Sequence, residues 1–307
     1  MASRTERILV TGAAGFTGRH LCAHLRGQGH RVFGLVEHAS GTADEVAADL
    51  LDAAAVEAAV RAAAPDRVVH LAAIAFPGHR DADAIYRVNV NGTLALLAAL
   101  AAARCGRGGV LLPSTGTVYA NADAGALAES APVAPATHYA ASKLAMEHMA
   151  RIFGRELPIV IVRPFNYTGP GQREPYLVPK IVRHFAERAD EIELGNVDVV
   201  RDFLDVRTVV DAYARLLASP AAAGRTFNVC SGTGTPIRDL VAALERITGR
   251  RMAIRVNPEF VRAGEAHRIV GSSAALRSVI GELKPISLAE TLADMLRERE
   301  AMFRTEA

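Results

Sequence analysis

A glycine-rich segment directly after a short apolar run constrains the fold of this chain more than any other feature. Residues 7–10 are typical of a buried β-strand, and Thr11-Gly12-Ala13-Ala14-Gly15-Phe16-Thr17-Gly18 follows as a GxxGxxG pattern opening a helix through Leu25. In such a unit one glycine permits the tight turn, another lets the backbone approach a pyrophosphate, and the third allows close helix packing. This order predicts a dinucleotide site, whose phosphate end comprises Gly12, Gly15, Phe16, Thr17 and Gly18.

The rest of the chain alternates short β-branched runs with longer helical stretches rich in alanine and leucine. Further strands are predicted over 31–36, 67–70, 110–112 and 158–162, and Asn91-Gly92-Thr93 predicts the start of a core helix over 94–103. Near-continuous apolar strands separated by helices indicate a parallel sheet covered on both faces. We therefore predict an α/β fold with a doubly wound parallel (Rossmann) sheet.

The pattern changes after Arg163, which indicates a smaller C-terminal substrate-binding lobe. A Pro/Gly-rich loop over 164–171 precedes a predicted helix over 177–188 and a short strand over 192–194. A helix over 208–218 and a strand over 225–229 are predicted to rejoin the first sheet. The predicted dinucleotide-binding domain is thus 1–163 plus about 202–230, and the substrate lobe is 164–201 plus about 231–307.

Charge and cysteine content narrow the class of partner. The 35 basic and 33 acidic residues leave a net charge of +2, which predicts no nucleic-acid or membrane partner. Cys22, Cys105 and Cys230 are widely spaced without a zinc-ligand pattern, so we expect a reducing compartment and no metal. The first residues lack the features of a signal peptide, and the apolar run over 94–103 is shorter than the roughly 18 residues of a membrane span. These features predict a cytoplasmic protein.

Residues beyond the glycine turn are candidates for the adenosine half of the dinucleotide. Glu37 at the end of the second strand could bind the ribose 2′-hydroxyl of NAD, whereas the adjacent His38 could tolerate the 2′-phosphate of NADP. The choice between the two cofactors stays open on these residues. Asp49 and Leu50 could meet the adenine amine, and the small segment Leu71-Ala72-Ala73 leaves room for ribose.

A tyrosine and a lysine four residues apart supply the predicted reactive group. In Tyr139-Ala140-Ala141-Ser142-Lys143, near a helix start, the first and last side chains fall on one helix face. A phenol with a pKa of about 10 needs charge stabilisation to exchange protons near neutrality, and an adjacent ammonium provides it. Ser114-Thr115-Gly116-Thr117-Val118-Tyr119, after a predicted strand, brings hydroxyl groups to the same crevice.

Together, the glycine turn, the hydroxyl-bearing strand end and the YxxxK helix resemble the extended short-chain dehydrogenase/reductase family over nearly the whole chain. The resemblance implies that Thr115 and Tyr139 share the substrate oxygen and that Lys143 holds the nicotinamide ribose. It further implies that Asn89, Pro164 and Phe165 contribute to the cofactor site. Sugar dehydratases of the family carry an acidic pair after the hydroxyl residue, where this chain has Gly116 and Thr117. Dehydration is therefore not expected, and hydride exchange at one carbon remains.

Motifs of the second lobe are similar to those of GDP-4-keto-6-deoxy-D-mannose reductases. The similarity lies in three segments, Arg163-Pro164-Phe165-Asn166-Tyr167-Thr168-Gly169-Pro170-Gly171-Gln172, Arg201-Asp202-Phe203-Leu204-Asp205-Val206 and Phe227-Asn228-Val229-Cys230-Ser231-Gly232, with the tail from Asn257 to Gly271. Planar guanidinium groups suit a diphosphate. The candidate substrate residues, besides Thr115, are Asn166, Lys180, Arg201, Arg262 and Glu265. The tail departs from many relatives, because Arg262-Ala263 stands where they have Arg-Pro.

Three functions stay open at this point. The leading hypothesis is NAD(P)H-dependent 4-ketoreduction of a GDP-activated 6-deoxyhexose to GDP-D-rhamnose. The runner-up is a nucleotide-sugar 4-epimerase, which would use the same Thr115, Tyr139 and Lys143 but keep NAD bound throughout. The third is a catalytically silent dinucleotide sensor, against which the intact reactive set argues. A homodimer is implied by the resemblance alone.

Overall fold

The computed structural model describes residues 5–38, 41–42, 44–76, 79–120, 125–174, 176–261 and 266–306, with side chains to residue 303. The strands are β1 (Arg7–Thr11), β2 (Arg31–Val36), β3 (Glu45–Ala47), β4 (Arg67–His70), β5 (Gly109–Pro113), β6 (Ile159–Pro164), β7 (Asn166–Thr168), β8 (Glu191–Leu194), β9 (Val200–Asp205), β10 (Thr226–Val229), β11 (Gly234–Pro236), β12 (Ala253–Val256) and β13 (Arg268–Ile269). The α-helices are α1 (Phe16–Gly27), α2 (Ala53–Ala63), α3 (Ala82–Tyr86), α4 (Thr93–Ala103), α5 (His138–Ile152), α6 (Leu177–Ala186), α7 (Val206–Ala218), α8 (Ile237–Thr248), α9 (Ala274–Ile280) and α10 (Leu288–Glu306).

The main sheet has seven parallel strands in the order β10-β6-β5-β4-β1-β2-β3. Its strands are buried on both sides because helices cover both faces, with α2, α4 and α5 on one and α1, α7 and α9 on the other. The predicted doubly wound parallel sheet is confirmed, and the strand predicted over 225–229 does rejoin it beside β6. The order of the strands reverses between β1 and β4, and sheets of this kind bind their ligands at that point, outside the carboxyl ends of the strands.

Smaller sheets and a separate apolar cluster follow β6. β9 pairs with β7, β11 and β13, whereas β8 pairs with β12. Apolar residues of α6, α8 and α10 pack together with β8 and β9 into a second core. This cluster is separate from the two clusters that flank the main sheet.

The helix before β5 begins earlier than the sequence predicted. The expected start at Asn91-Gly92-Thr93 is wrong, because Gly92 has helical backbone angles and continues a π-helical turn, Arg87–Gly92, that joins α3 to α4. The resulting helix, Ala82–Ala103, has 22 residues, and its most apolar stretch of 18 residues has a mean hydropathy of 1.3. By length and composition alone it could cross a membrane. However, α4 supplies Leu96, Leu97 and Leu100 to the apolar core beneath the main sheet, which identifies it as a core helix.

Candidate active site

The glycine turn after β1 leaves the first turn of α1 open to a ligand. Gly12 has φ +65°, a left-handed conformation that favours glycine, and a Cβ there would lie 2.8 Å from the backbone nitrogen of Ala72. A Cβ on Gly18 would lie 2.2 Å from the Gly12 carbonyl oxygen, so α1 can pack this closely only through a glycine. The N-cap is Gly15, which supplies no side-chain cap, and the first turn carries no acid. Its backbone N–H groups therefore suit a pyrophosphate.

Side chains from the first turn of α1 and from β7 meet beside the glycine turn. Phe16 stacks on Tyr167 with ring centroids 6.2 Å apart, and the Thr17 hydroxyl lies 2.9 Å from the Tyr167 hydroxyl. These contacts connect the glycine turn with β7, the first strand of the smaller sheet. Phe16 and Thr17 are therefore placed at the junction between the two parts of the chain.

The residues predicted for the adenosine half lie near the turn. Glu37 is exposed directly after β2, two residues beyond Leu35, whose carbonyl oxygen accepts a hydrogen bond from Gly12. Asp49 is exposed and accepts the backbone N–H of Leu51, whereas Leu50 is buried in the core against Gly92. An exposed acid at this place could bind a ribose, while Leu50 can offer a pocket wall only through its backbone or one edge.

A buried hydrogen-bond chain joins the turn to the π-helical segment. His70 contacts the Thr11 hydroxyl through Nδ1 at 2.7 Å and the Thr93 hydroxyl through Nε2 at 2.9 Å. The Thr93 hydroxyl donates to the Asn89 carbonyl oxygen at 2.7 Å, so Thr93 accepts from a His70 Nε2–H. Burial, with a contribution from Lys143, lowers the pKa of His70 to about 3, which keeps the ring neutral.

Asn89 connects the end of β4 with α5. Its amide accepts from Ile74 N at 2.8 Å and donates to the Ile74 carbonyl oxygen at 3.1 Å and to the Ser142 hydroxyl at 3.0 Å. Leu71, Ala72 and Ala73, directly before this contact, are only partly exposed and small enough at two positions to border a ligand. π-helical turns are frequent at functional sites because they re-aim such a side chain.

The carboxyl end of β5 presents two adjacent hydroxyl residues. Thr115 is buried, caps a short 3₁₀ turn through Thr117 N at 3.1 Å, and has its hydroxyl 2.9 Å from that of Thr117. Ser114 is also buried, and its hydroxyl has no hydrogen-bond partner among the described residues. The resemblance selects Thr115 over Ser114, yet this unpartnered buried oxygen makes Ser114 a candidate to contact a ligand as well.

Helix α5 carries Tyr139 and Lys143 in its first two turns. Thr137 begins the helix by accepting the Ala140 N–H at 3.1 Å, which fixes Tyr139 in the first turn. The Thr115 side chain is close enough to the Tyr139 phenol to act on its pKa, so the structure brings the predicted pair together. Lys143 is 4% exposed, and the contact that the structure gives its ammonium is the Met146 sulfur at 4.0 Å.

Burial shifts the pKa values of these two groups in opposite directions. For half-buried Tyr139, desolvation of the phenol and the neighbouring Tyr167 and Tyr176 raise the pKa well above its usual range, against the Thr115 hydrogen bond. For Lys143, desolvation lowers the pKa to about 8 although Glu147 opposes the shift. At neutral pH the phenol therefore keeps its proton and the lysine is charged but poorly solvated.

The two residues at the end of β6 that were assigned to the cofactor site are buried. Pro164 ends β6 opposite Val229, and the Phe165 ring packs against Gly116 and Gly271. A Cβ on Gly116 would lie 3.0 Å from the Phe165 ring, so this packing favours glycine where dehydratases carry an acid. Phe165 thus shapes the loop beside Thr115 more than it offers free surface.

A cavity of about 760 Å³ lies between β7, α6 and β9. Three predicted substrate residues, Asn166, Lys180 and Arg201, line it. Asn166 is exposed, whereas Lys180 donates to the Glu193 carbonyl oxygen at 2.7 Å and lies 4.7 Å from the centre of the Phe260 ring. Arg201 donates to the Val200 carbonyl oxygen at 3.0 Å. Arg262 and Glu265 lie outside the described residues.

The sequence analysis missed several residues that line this cavity. They are aromatic or acidic side chains that belong to no motif, namely Phe76, Glu174, Tyr176, Glu259 and Phe260. Only spatial proximity identifies them, because they come from separate loops and strands. Asp205, by contrast, has a structural role: it caps α7 and accepts hydrogen bonds from Arg207 and Thr291.

The geometry fits a dinucleotide. An uncapped helix N-terminus, an exposed Gly15 and the buried ammonium of Lys143, which lacks an oxygen partner among the described residues, all provide complementary groups for such a ligand. Within the same residues no group of three His, Cys, Asp or Glu side chains is placed to hold a metal ion.

Comparison with known proteins agrees with this assignment. Residues 8–230 match the family model described as "NAD dependent epimerase/dehydratase family". GDP-6-deoxy-D-talose 4-dehydrogenase of Aggregatibacter actinomycetemcomitans is 35% identical over 95% of this chain and 98% of its own. GDP-6-deoxy-D-mannose reductase of Pseudomonas aeruginosa is 35% identical over 98% and 100%. UDP-glucose 4-epimerase of Mycolicibacterium smegmatis is 33% identical over 94% and 96%.

Solved structures share the whole fold. A Burkholderia cenocepacia structure has a TM-score of 0.90 with 44% identity, covering 97% of this chain and 100% of the other. The Pseudomonas aeruginosa RMD structure, complexed with NADPH, has a TM-score of 0.85 with 34% identity over 97% and 100%. The Thermus thermophilus UDP-glucose 4-epimerase structure, complexed with NAD, has a TM-score of 0.85 with 29% identity over 95% and 98%.

Proposed function

The chain belongs to the NAD dependent epimerase/dehydratase family, and on that premise we propose that it reduces the C4 carbonyl of a nucleotide-activated 6-deoxy-4-ketohexose. In more general terms, it is an NAD(P)-dependent enzyme that modifies a nucleotide sugar. The substrate proposed here is GDP-4-keto-6-deoxy-D-mannose, with GDP-D-rhamnose as product. Two relatives at 35% identity support this choice, because both names join a GDP-linked 6-deoxyhexose to a dehydrogenase or reductase.

One observation carries the proposal: the Thr115 side chain lies beside the Tyr139 phenol, one turn before the buried Lys143. The two hydroxyl groups polarise the C4 carbonyl, and Tyr139 donates its proton to the oxygen as the alcohol forms. Lys143 holds the nicotinamide ribose and stabilises the phenolate that remains. The bound dinucleotide supplies the hydride. Because burial raises its pKa, Tyr139 stays protonated at neutral pH, which is the form that a ketone reduction requires.

The remaining parts of the dinucleotide and of the nucleotide sugar are assigned to residues on either side of Thr115, Tyr139 and Lys143. We assign the pyrophosphate of the dinucleotide to the turn from Gly12 to Gly18 and its adenosine to the region of Glu37, Asp49 and Ala72. The substrate's nucleotide is assigned to the cavity lined by Asn166, Lys180 and Arg201, with Arg262 and Glu265 as further candidates. NADPH and NADH are both candidates, because Glu37 favours NADH and His38 tolerates the 2′-phosphate of NADPH.

The chain's organisation and assembly form part of the same proposal. Residues 1–163 plus about 202–230 would bind the dinucleotide, and 164–201 plus about 231–307 the nucleotide sugar. We further propose a cytoplasmic homodimer, which the family resemblance alone supports. Light scattering of the purified protein tests the dimer, and a monomer at micromolar concentration would contradict it.

A second candidate function is 4-epimerisation of a nucleotide sugar, which the 33% identity to a UDP-glucose 4-epimerase favours. An epimerase oxidises C4 of the sugar and then reduces it again with the same bound cofactor, so it consumes no external NADPH or NADH. The test is to follow reduced-nicotinamide absorbance while GDP-4-keto-6-deoxymannose is added. One equivalent of NADPH or NADH consumed per sugar supports the reductase. No consumption, with NAD released from the denatured protein, supports the epimerase.

A further inference from the structure

Glu147 lies one helical turn beyond Lys143 on α5, at the spacing where a lysine and a glutamate ordinarily pair. Both side chains are buried, and Glu147 has an exposure of 0%. Yet both carboxylate oxygens accept from Arg163 on β6, Oε1 from Nε at 2.9 Å and Oε2 from Nη2 at 2.7 Å. The Lys143 ammonium instead contacts the Met146 sulfur at 4.0 Å.

The guanidinium of Arg163 is itself held in place. Its Nη1 donates to the Tyr119 hydroxyl at 3.0 Å and to the Glu129 carbonyl oxygen at 3.3 Å, and its carbon lies 4.9 Å from the centre of the Tyr119 ring. The Tyr119 hydroxyl in turn donates to Asn228 Oδ1 at 2.7 Å on β10. This network fixes the orientation of the planar Arg163 guanidinium. The guanidinium in turn fixes the orientation of the Glu147 carboxylate through its two hydrogen bonds.

We propose that Arg163 is a positioning residue for the reaction proposed above. By engaging both oxygens of Glu147, it prevents a Glu147–Lys143 ion pair and leaves the Lys143 ammonium to act on Tyr139 and the dinucleotide. Only the action of Lys143 on Tyr139 and the dinucleotide rests on the proposed function. Arg163 acts through Glu147 and needs no contact with either ligand.

Other charged and titratable groups around α5 leave Glu147 as the group that decides the charge at Lys143. From β4, His70 is neutral. Before α4, Asp83 and Arg87 pair with each other at 3.9 Å on the surface, and Tyr86 contacts His138. On α5 itself, Arg151 is half exposed and lies 3.8 Å from Glu147, whereas Arg155 and His148 are exposed. Glu147 is the group whose charge raises the pKa of Lys143, against burial.

The test measures the pKa of Lys143 directly, without a sugar substrate. The chain has three lysines, Lys143, Lys180 and Lys284, so protein grown with ¹³Cε-labelled lysine gives three assignable NMR signals. In the native protein we expect the Lys143 signal to titrate with a pKa of about 8. Lys143→Arg identifies that signal by removing it.

In Arg163→Met the freed carboxylate of Glu147 is expected to turn to Lys143. The pKa of Lys143 then rises by about one pH unit or more, a tenfold or larger fall in its acid dissociation constant. Glu147→Gln is expected to lower the same pKa. Arg151→Met is the matched control, because it removes an exposed arginine near the same carboxylate and should leave the pKa unchanged.

If Arg163→Met does not fold, Arg163→Lys carries the test, since an ammonium can engage only one carboxylate oxygen in place of two. A smaller rise in the pKa of Lys143 is then expected. An unchanged or lowered pKa in the folded Arg163 variant would overturn the proposal. A raised pKa without turnover of any nucleotide sugar would keep the role of Arg163 and remove the proposed function, so the two failures are distinguishable.

Discussion

The Tyr139 phenol, in the first turn of α5, lies beside the Thr115 side chain at the carboxyl end of β5. Thr115 in turn lies 2.9 Å from the Thr117 hydroxyl, so its orientation is set from both sides. The end of β5 and the start of α5, the next α-helix along the chain, thus supply one pair of hydroxyl groups. This pair is the structural basis for the proton transfer proposed above.

Tyr139→Phe removes the proton donor and keeps the ring. We expect turnover with the 4-keto sugar to fall by about 10²-fold or more, because a positioned general acid contributes that much. NADPH affinity should change little, and steady-state kinetics with fluorescence titration of NADPH measures both. Tyr86→Phe, which removes a phenol hydroxyl outside the site, is the control. Near-normal turnover in Tyr139→Phe would exclude its role as acid.

Lys143→Met should stabilise the cofactor-free protein at neutral pH. The pKa of Lys143 falls from 10.5 to about 8 on burial, so the folded state carries the full penalty below pH 8 and loses it as pH rises toward 10.5. Replacement by methionine should raise the free energy of unfolding at pH 7 by up to about 3 kcal/mol. Denaturant unfolding measures this, with exposed Lys284→Met as control. Destabilisation comparable to that of a core cavity would contradict the assignment.

The same pKa predicts how the reaction depends on pH. Because the charged form of Lys143 is required, kcat/KM for ketone reduction should decline as pH rises through about 8. Tyr139 keeps its proton over this range, so it does not cause the decline. In Lys143→Arg the guanidinium stays charged, and residual activity should show no such limb. A wild-type profile that is flat to pH 10 would refute the prediction.

Gly18 and Gly15 should respond differently to alanine. A Cβ on Gly18 would collide with the Gly12 carbonyl oxygen at 2.2 Å, whereas on Gly15 it would meet that atom at 3.1 Å and project from an exposed position. Gly18→Ala should cost about 1–3 kcal/mol or more of stability through overpacking. Gly15→Ala should fold but bind NADPH more weakly. Thermal melting with and without NADPH separates the two effects, and equal behaviour would contradict the assigned roles.

The sequence pattern was enough to predict those parts of the fold that are determined by neighbouring residues in the chain. The strands β2 and β4 were predicted to the residue, since β-branched runs buried on both faces leave a strong signal. The turn at Gly12 and the joint placement of Tyr139 and Lys143 on α5 were likewise recoverable. Asn91-Gly92-Thr93 misled because it resembles a helix cap, whereas in the fold Asn89 bonds to Ile74 and keeps the helix running through a π turn.

Long-range contacts could not be read from one sequence. Nothing local indicates that Arg163 engages Glu147 or that His70 joins Thr11 to Thr93. Lys180 was chosen as a substrate ligand from the resemblance, and its bond to the Glu193 carbonyl oxygen depends on how α6 packs on β8. The roles assigned to the site residues therefore stay predictions that the experiments above address.

The most direct test of the central claim is to follow the hydride. The purified enzyme is given GDP-4-keto-6-deoxymannose with NADPH, or NADH, carrying deuterium at the transferable position of the nicotinamide. The account predicts one deuterium at C4 of the hexose in every product molecule, detected by NMR and mass spectrometry. A product without deuterium, or with deuterium at another carbon, would contradict it.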